Sequence, residues 1–156
     1  MTKINRKTLI LNILIVLVLA FIWGNSLKSG EESGKDSSRV AQILQPVINL
    51  IIPEGIIEKL GTEFIVRKLA HFSEFALLGF LLLLKADSMK MFSAKCILQA
   101  ELTAFICAFL DESIQMFTGR GPMIRDVWID SFGAFSGIIF AALIVIIIAK
   151  HREKTS

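Results

Sequence analysis

"RKLAHFSEFALLGFLLLL", residues 67–84, has the length and apolar content of a membrane span, yet its first eight positions hold Arg67, Lys68, His71 and Glu74. At about 100° per residue in a helix, Arg67, His71 and Glu74 fall within about sixty degrees of one another, and Leu78 continues their stripe. The segment reads as a helix with one polar face over its first turns and apolar surface elsewhere.

The rest of the chain puts that helix in lipid. The 156 residues are 54% hydrophobic, with twelve Phe, no Tyr and only 20% charged residues, a composition outside the range of soluble domains. Apolar blocks at residues 8–24, 64–84, 94–116 and 127–149 each approach the roughly 20 residues a helix needs to cross hydrocarbon. They predict an all-α polytopic membrane protein. Its single domain, residues 1–156, is a four-helix transmembrane bundle with a long extracytoplasmic loop between the first and second spans. The first block follows "MTKINRK" and could pass for a signal peptide, but "WGNSLKSGEES" has no small-x-small cleavage site, so a retained anchor is expected.

Basic residues set the orientation. Lys3, Arg6 and Lys7, then Lys85, Lys90 and Lys95, then Lys150, Arg152 and Lys154 fall on one side, which is expected to be cytoplasmic and to hold both termini of a multi-pass cell-membrane protein. Because the cations of this +3 chain lie between apolar blocks, they do not form a nucleic-acid surface. On the other side, residues 25–63 offset their cations with Glu31, Glu32, Asp36, Glu54, Glu58 and Glu63. Within that loop "VAQILQPVINLIIP", residues 40–53, is too short to span and is interrupted by Pro46 and Pro53. It is expected at the interface, either packed on helix ends or covering a site.

Two more spans carry polar faces. Ala100, Ala104, Cys107, Ala108, Asp111 and Gln115 share one face of the third, with Glu101 and Glu112 at its flank. Asp126 and Asp130 share a face of the fourth with Gly133, Gly137 and Ala141. Small residues at this spacing let helices approach closely, so the carboxylates point into a bundle; the same ladder, through Gly133 and Gly137, could equally serve an oligomer. Cys96 and Cys107 lie roughly 16 Å apart along a continuous helix, out of disulfide reach, and read as small core residues.

Ionisable groups within a membrane cost a few kcal/mol and are functional by default. All three stripes sit at the outer ends of their helices. Lys68, His71, Glu74, Asp111, Glu112, Gln115, Arg120, Asp126 and Asp130 are therefore the candidate lining of a ligand site. Plainer roles exist for some residues: Arg67, Lys68 and Arg125 as snorkelling anchors, Arg120 as a loop cation, Glu101 as a structural partner. A catalytic reading makes His71 a general base and Asp111 or Glu112 the acid. A divalent metal on His71 and the carboxylates rests on residue type alone. With no HExxH and no CxxC present, no metal ligand and no cofactor is assigned from the sequence. Transport ranks last, since only Glu101 is polar in the inner half.

"RKLAHFSEFALLG" and "LDESIQMFTGRGPMIRDVWIDSFGAFSG" resemble the motifs of VanZ-like membrane proteins, a likeness that covers about residues 26–140 and includes "NSLKSGEESGKDSSRV". The matching positions are Lys68, His71, Glu74, Asp111, Glu112, Gln115, Arg120, Asp126, Asp130, Gly133 and Gly137. Phe75 stands where a Tyr is usual, and Ile114 where relatives with a similar acidic motif often have His. The resemblance implies a cell-envelope protein contributing to resistance against teicoplanin-type lipoglycopeptides. Its partners would be membrane lipids and a lipid headgroup or glycopeptide-like ligand bound in the outer half of the bundle. The alternative is an intramembrane acid/base or metal-dependent enzyme acting on a lipid-linked substrate. Some relatives carry the name phosphotransbutyrylase, but no acyl-CoA site is visible in these residues.

Overall fold

Four helices follow the four apolar blocks, each running beyond its block. These are α1 (Arg6–Ser26), α4 (Thr62–Ser88), α5 (Ala94–Phe117) and α6 (Ile124–Thr155). The computed structural model describes residues 5–89, 92–120 and 124–155, and no strand occurs among them. α1, α4 and α6 are long and apolar enough to cross a membrane. α5 has 24 residues, but every 18-residue stretch of it carries at least three of Lys95, Glu101, Asp111 and Glu112, so it falls short of that standard. Its two terminal acids escape solvent by facing the other helices, Asp111 at 0% and Glu112 at 5% exposure.

The segment expected as a long loop is largely helical, forming α2 (Gly30–Ile51) and the short α3 (Glu54–Leu60). A capping box starts α2: the Ser29 hydroxyl accepts from the Glu32 amide at 3.2 Å, and the Glu32 carboxylate accepts from the Ser29 amide at 3.1 Å. Lys35 pairs with Glu31 one turn back at 2.7 Å. Further on, Ala41 and Ile48, two turns apart, bury one stripe against Val66 of α4. These local bonds and that stripe outweigh the Ser and Gly content and the ladder bond lost at Pro46. Residues 40–53 pack beside the bundle, and Val40 at their start also lines the cavity described below.

α4 is the hub and packs against each of the other five helices. Its contact with α6 is the closest in the fold and follows from three glycines. A Cβ on Gly133 would run into the backbone carbonyl of Phe72, one on Gly137 into that of Ala76, and one on Gly79 into the backbone of Ala134. Backbone therefore meets backbone along two turns, the arrangement that small residues permit. The Gly133 and Gly137 ladder is taken up by α4 within the chain.

Around this seam, Ile22 of α1, Phe75 and Leu78 of α4, Ala108 of α5 and Ala134 of α6 form one buried cluster, and Leu83, Ala100, Ile138 and Ala141 a second. Cys96 and Cys107 are free and buried, as expected of core residues. At one end, the start of α1 is pinned to the end of α4 by the Thr8–Ser88 hydroxyl pair at 2.9 Å and the Lys7–Asp87 ion pair at 3.4 Å.

Candidate functional site

The opposite end, where α4 and α6 begin and α1 and α5 finish, collects the polar faces. The last turns of α5 contribute Asp111, Glu112 and Gln115, all buried. Gln115 sits one turn beyond the two acids, and its amide nitrogen donates to Asp111 Oδ2 at 2.8 Å and to Glu112 Oε1 at 3.2 Å. The other Asp111 oxygen is taken by α1, whose Ser26 hydroxyl donates to it at 2.6 Å. A buried hydrogen bond to a carboxylate contributes about 1.5–3 kcal/mol. Ser26→Ala should therefore lower the stability of the detergent-solubilised protein by about that amount in thermal or denaturant unfolding. An unchanged midpoint would show that Asp111 does not depend on α1.

α6 supplies Asp126 and Asp130, one turn apart. Asp126 pairs with the Lys68 ammonium of α4, both side chains being largely buried at 11% and 14% exposure. The same ammonium lies 4.9 Å from the centre of the Phe64 ring, a cation–π distance. Asp130 is fully buried, and neither of its oxygens has a hydrogen-bond partner among the described residues. His71 faces it: Nδ1 is 3.7 Å from Asp130 Oδ1 and 4.0 Å from Asp111 Oδ2, too far for hydrogen bonds. His71, Asp111 and Asp130, from three different helices, thus bring ligand-type atoms within 4.8 Å of one another.

In front of this layer lies a cavity of about 270 Å³, to which α1, α2, α4 and the turn after α5 all contribute. His71 and Ser26 belong to both cavity and buried layer, since each lines the one and faces Asp111 in the other. Arg120 reaches in from the turn after α5. Its Nη2 donates to the backbone oxygens of Asn25 and Lys28, each at 2.8 Å, tying the turn after α5 to the end of α1 and the turn that follows it. The Nε atoms of Arg120 and of Arg67 are buried without a hydrogen-bond partner among the described residues. Glu74 accepts from the Asn25 side chain at 3.4 Å. At the α2 wall Lys28 donates to Asp36 at 2.8 Å, and that hydrogen bond and charge hold the Asp36 carboxyl below its ordinary range, so the ion pair persists into mild acid.

The residues singled out from sequence do converge on one end, but they divide into two sets. His71, Glu74 and Arg120 line the cavity, whereas Lys68, Asp111, Glu112, Gln115, Asp126 and Asp130 make the layer behind it. Arg67, which could have been a simple anchor, lines the cavity, while the neighbouring Lys68 is held by Asp126. Sequence reasoning missed Asn25, Ser26, Lys28 and Asp36. The signal for the first three was the polar run "NSLKS", which closes the first apolar block just where the other polar faces gather. Glu101 is a structural partner: its Oε1 accepts from the Ser131 hydroxyl at 2.7 Å, joining α5 to α6 away from the cavity.

No curated protein and no solved structure matches the chain. The sequence profile of one family, VanZ/LLP1, matches residues 11–146, a stretch that takes in both the cavity and the buried layer. With most of its length accounted for in this way, the chain belongs to the VanZ/LLP1 family of membrane proteins.

Proposed function

We propose that this is a multi-pass cell-membrane protein whose cavity opens at the outer face and holds the anionic headgroup of an envelope lipid or lipid-linked envelope molecule. α1, α4, α5 and α6 would be the four spans and both termini cytoplasmic. In support, Arg6, Lys7, Lys85, Lys95, Lys150, Arg152 and Lys154 cluster on the terminal stretches at the end away from the cavity. Lys3 and Lys90, which belong to the same pattern, lie outside the described residues. α2, with an apolar stripe on α4 and Ile43, Leu50 and Ile51 exposed, has the makeup of a helix lying in the interface.

The observation that carries the headgroup reading is the pair of arginines in the cavity. Each has a buried Nε without a hydrogen-bond partner among the described residues, and planar guanidinium groups bind phosphate and carboxylate oxygens through paired, charge-assisted bonds. Binding of such a ligand at the outer leaflet would reduce what a teicoplanin-type lipoglycopeptide can engage, which links the cavity to resistance. Mass spectrometry of lipids co-purifying with the full chain tests this reading. The wild type should retain a phosphate-bearing lipid. Arg67→Ala should lower its recovery at least about tenfold, the effect of losing one charge-assisted contact, and should lower teicoplanin protection in cells in parallel. Equal recovery from the variant, or no anionic lipid enriched by the wild type, would overturn it.

The convergence of His71 with Asp111 and Asp130 favours a second reading, an intramembrane enzyme acting on a lipid-linked substrate. There His71 would act as base, with Asp111 or Glu112 as acid.

A further inference from the structure

Asp130 is the least expected residue in the fold. A carboxylate removed from water costs several kcal/mol unless hydrogen bonds or a counter-charge replace its hydration. Asp130 is fully buried, and among the described residues neither of its oxygens has a hydrogen-bond partner. Lys68, the nearby ammonium, is committed to Asp126 one turn away. Instead, Asp130 faces His71 Nδ1, itself buried and without a hydrogen-bond partner among the described residues, and His71 in turn faces Asp111.

Separations of 3.7 and 4.0 Å are too long for hydrogen bonds but close to those of atoms sharing an ion. Three ligand atoms at about 2.1 Å from one metal, at tetrahedral angles, lie about 3.4 Å apart, so both carboxylates need to draw closer to His71 from 3.7 and 4.0 Å, within a cluster whose ligand atoms already all lie within 4.8 Å of one another. One of the three ligands is also held in place from behind. Asp111 is oriented by Ser26 at one oxygen and Gln115 at the other, the supporting arrangement that metal-binding carboxylates characteristically have.

We propose that His71, Asp111 and Asp130 bind one divalent cation. An imidazole nitrogen with two carboxylates suits zinc or manganese, whereas magnesium and calcium favour all-oxygen surroundings. Three protein ligands leave a coordination position open. His71 also lines the cavity, so that position lies next to where an anionic headgroup would sit, and a phosphate or carboxylate oxygen is the ligand class that would fill it. The cation site stands on the buried layer alone and does not depend on the headgroup reading.

The test uses the full chain in detergent, stripped with chelator, equilibrated with zinc or manganese chloride, washed and analysed by mass spectrometry for metal. The wild type should hold about one ion per chain, and the ion should raise its melting temperature. Asp130→Asn and His71→Ala should each weaken binding at least about tenfold and lose the melting shift. Glu101→Gln, a change at an α5 acid outside the cluster, should keep both. Arg67→Ala should also keep the ion while losing the lipid, which separates a failure of this proposal from a failure of the headgroup reading. Elution volume and helical circular dichroism identify variants that fail to fold, and for these Asp130→Glu, which retains the carboxylate, should restore the ion. Less than about 0.1 ion per wild-type chain with both salts would overturn the proposal and leave a proton shared within the cluster as the balancing charge. Wild-type affinity in Asp130→Asn would overturn it equally.

Discussion

Gly137→Leu should leave no stable bundle. A Cβ at this position would meet the carbonyl of Ala76, and the atom in the way belongs to the backbone of a long helix, which cannot rotate aside as a side chain can. Relief requires α4 and α6 to separate along their length. That would loosen the buried contacts around Leu83, Ala134 and Ile138 as well. Overpacking in a tight core costs about 1–3 kcal/mol when side chains can yield, and here the cost should exceed about 3 kcal/mol. Size-exclusion profiles and thermal unfolding in detergent would show it as aggregation or loss of the cooperative transition. Gly24→Ala is the matched control. Nothing lies within 4 Å of a Cβ at that position in α1, and alanine in a helix is favoured over glycine by about 1 kcal/mol, so its melting temperature should hold or rise. A Gly137→Leu protein that melts within a few degrees of the parent would mean that α4 and α6 are not in backbone contact.

Lys68→Met should be the most damaging change among the charged residues. The ammonium and the Asp126 carboxylate are both largely buried, and removing one member of such a pair leaves the other charge in a medium that solvates it poorly. The expected loss is about 3–5 kcal/mol, much of it the penalty on the stranded Asp126, whose second oxygen has no hydrogen-bond partner among the described residues. Removing both charges at once, in Lys68→Met with Asp126→Leu, should recover most of that loss, because an apolar pair of similar volume carries no desolvation cost. Unfolding midpoints of the two single variants and the double variant form a complete cycle. A single-variant loss below about 1 kcal/mol would place the pair in water and not within the bundle.

Helical angle was a guide to where the candidate residues lie. It placed Arg67, His71 and Glu74 on one face of α4, and all three line the cavity. It also turned Asp111 and Gln115 of α5 and Asp126 and Asp130 of α6 inward, and all four are buried. An angle fixes which way a side chain points along its own helix but not the rotation or height of the neighbouring helix. Lys68 could therefore have met any of several acids, and its pairing with Asp126 was not readable. The same limit hid Ser26 and Asn25, because α1 is apolar all round and nothing in its pattern says which side meets α5. α2 was lost for another reason. Its Ser and Gly content resembles a loop, whereas the decisive features are the Ser29 and Glu32 cap and the Ala41 and Ile48 stripe, which has meaning only once Val66 is there to receive it.

The bond from Ser26 to Asp111 joins residues 85 positions apart in the chain, and Arg120 reaches Asn25 across 95. At translation speeds of about 5–20 residues per second, Ser26 is synthesised roughly 4–17 s before Asp111. Throughout that interval the final turn of α1, with Asn25 and Ser26, and the carbonyl of Lys28 just beyond it wait without the partners that later fix them. The cavity can therefore close only after α5 and the turn that carries Arg120 have arrived, and any factor that attends the nascent chain has those seconds in which to engage the end of α1.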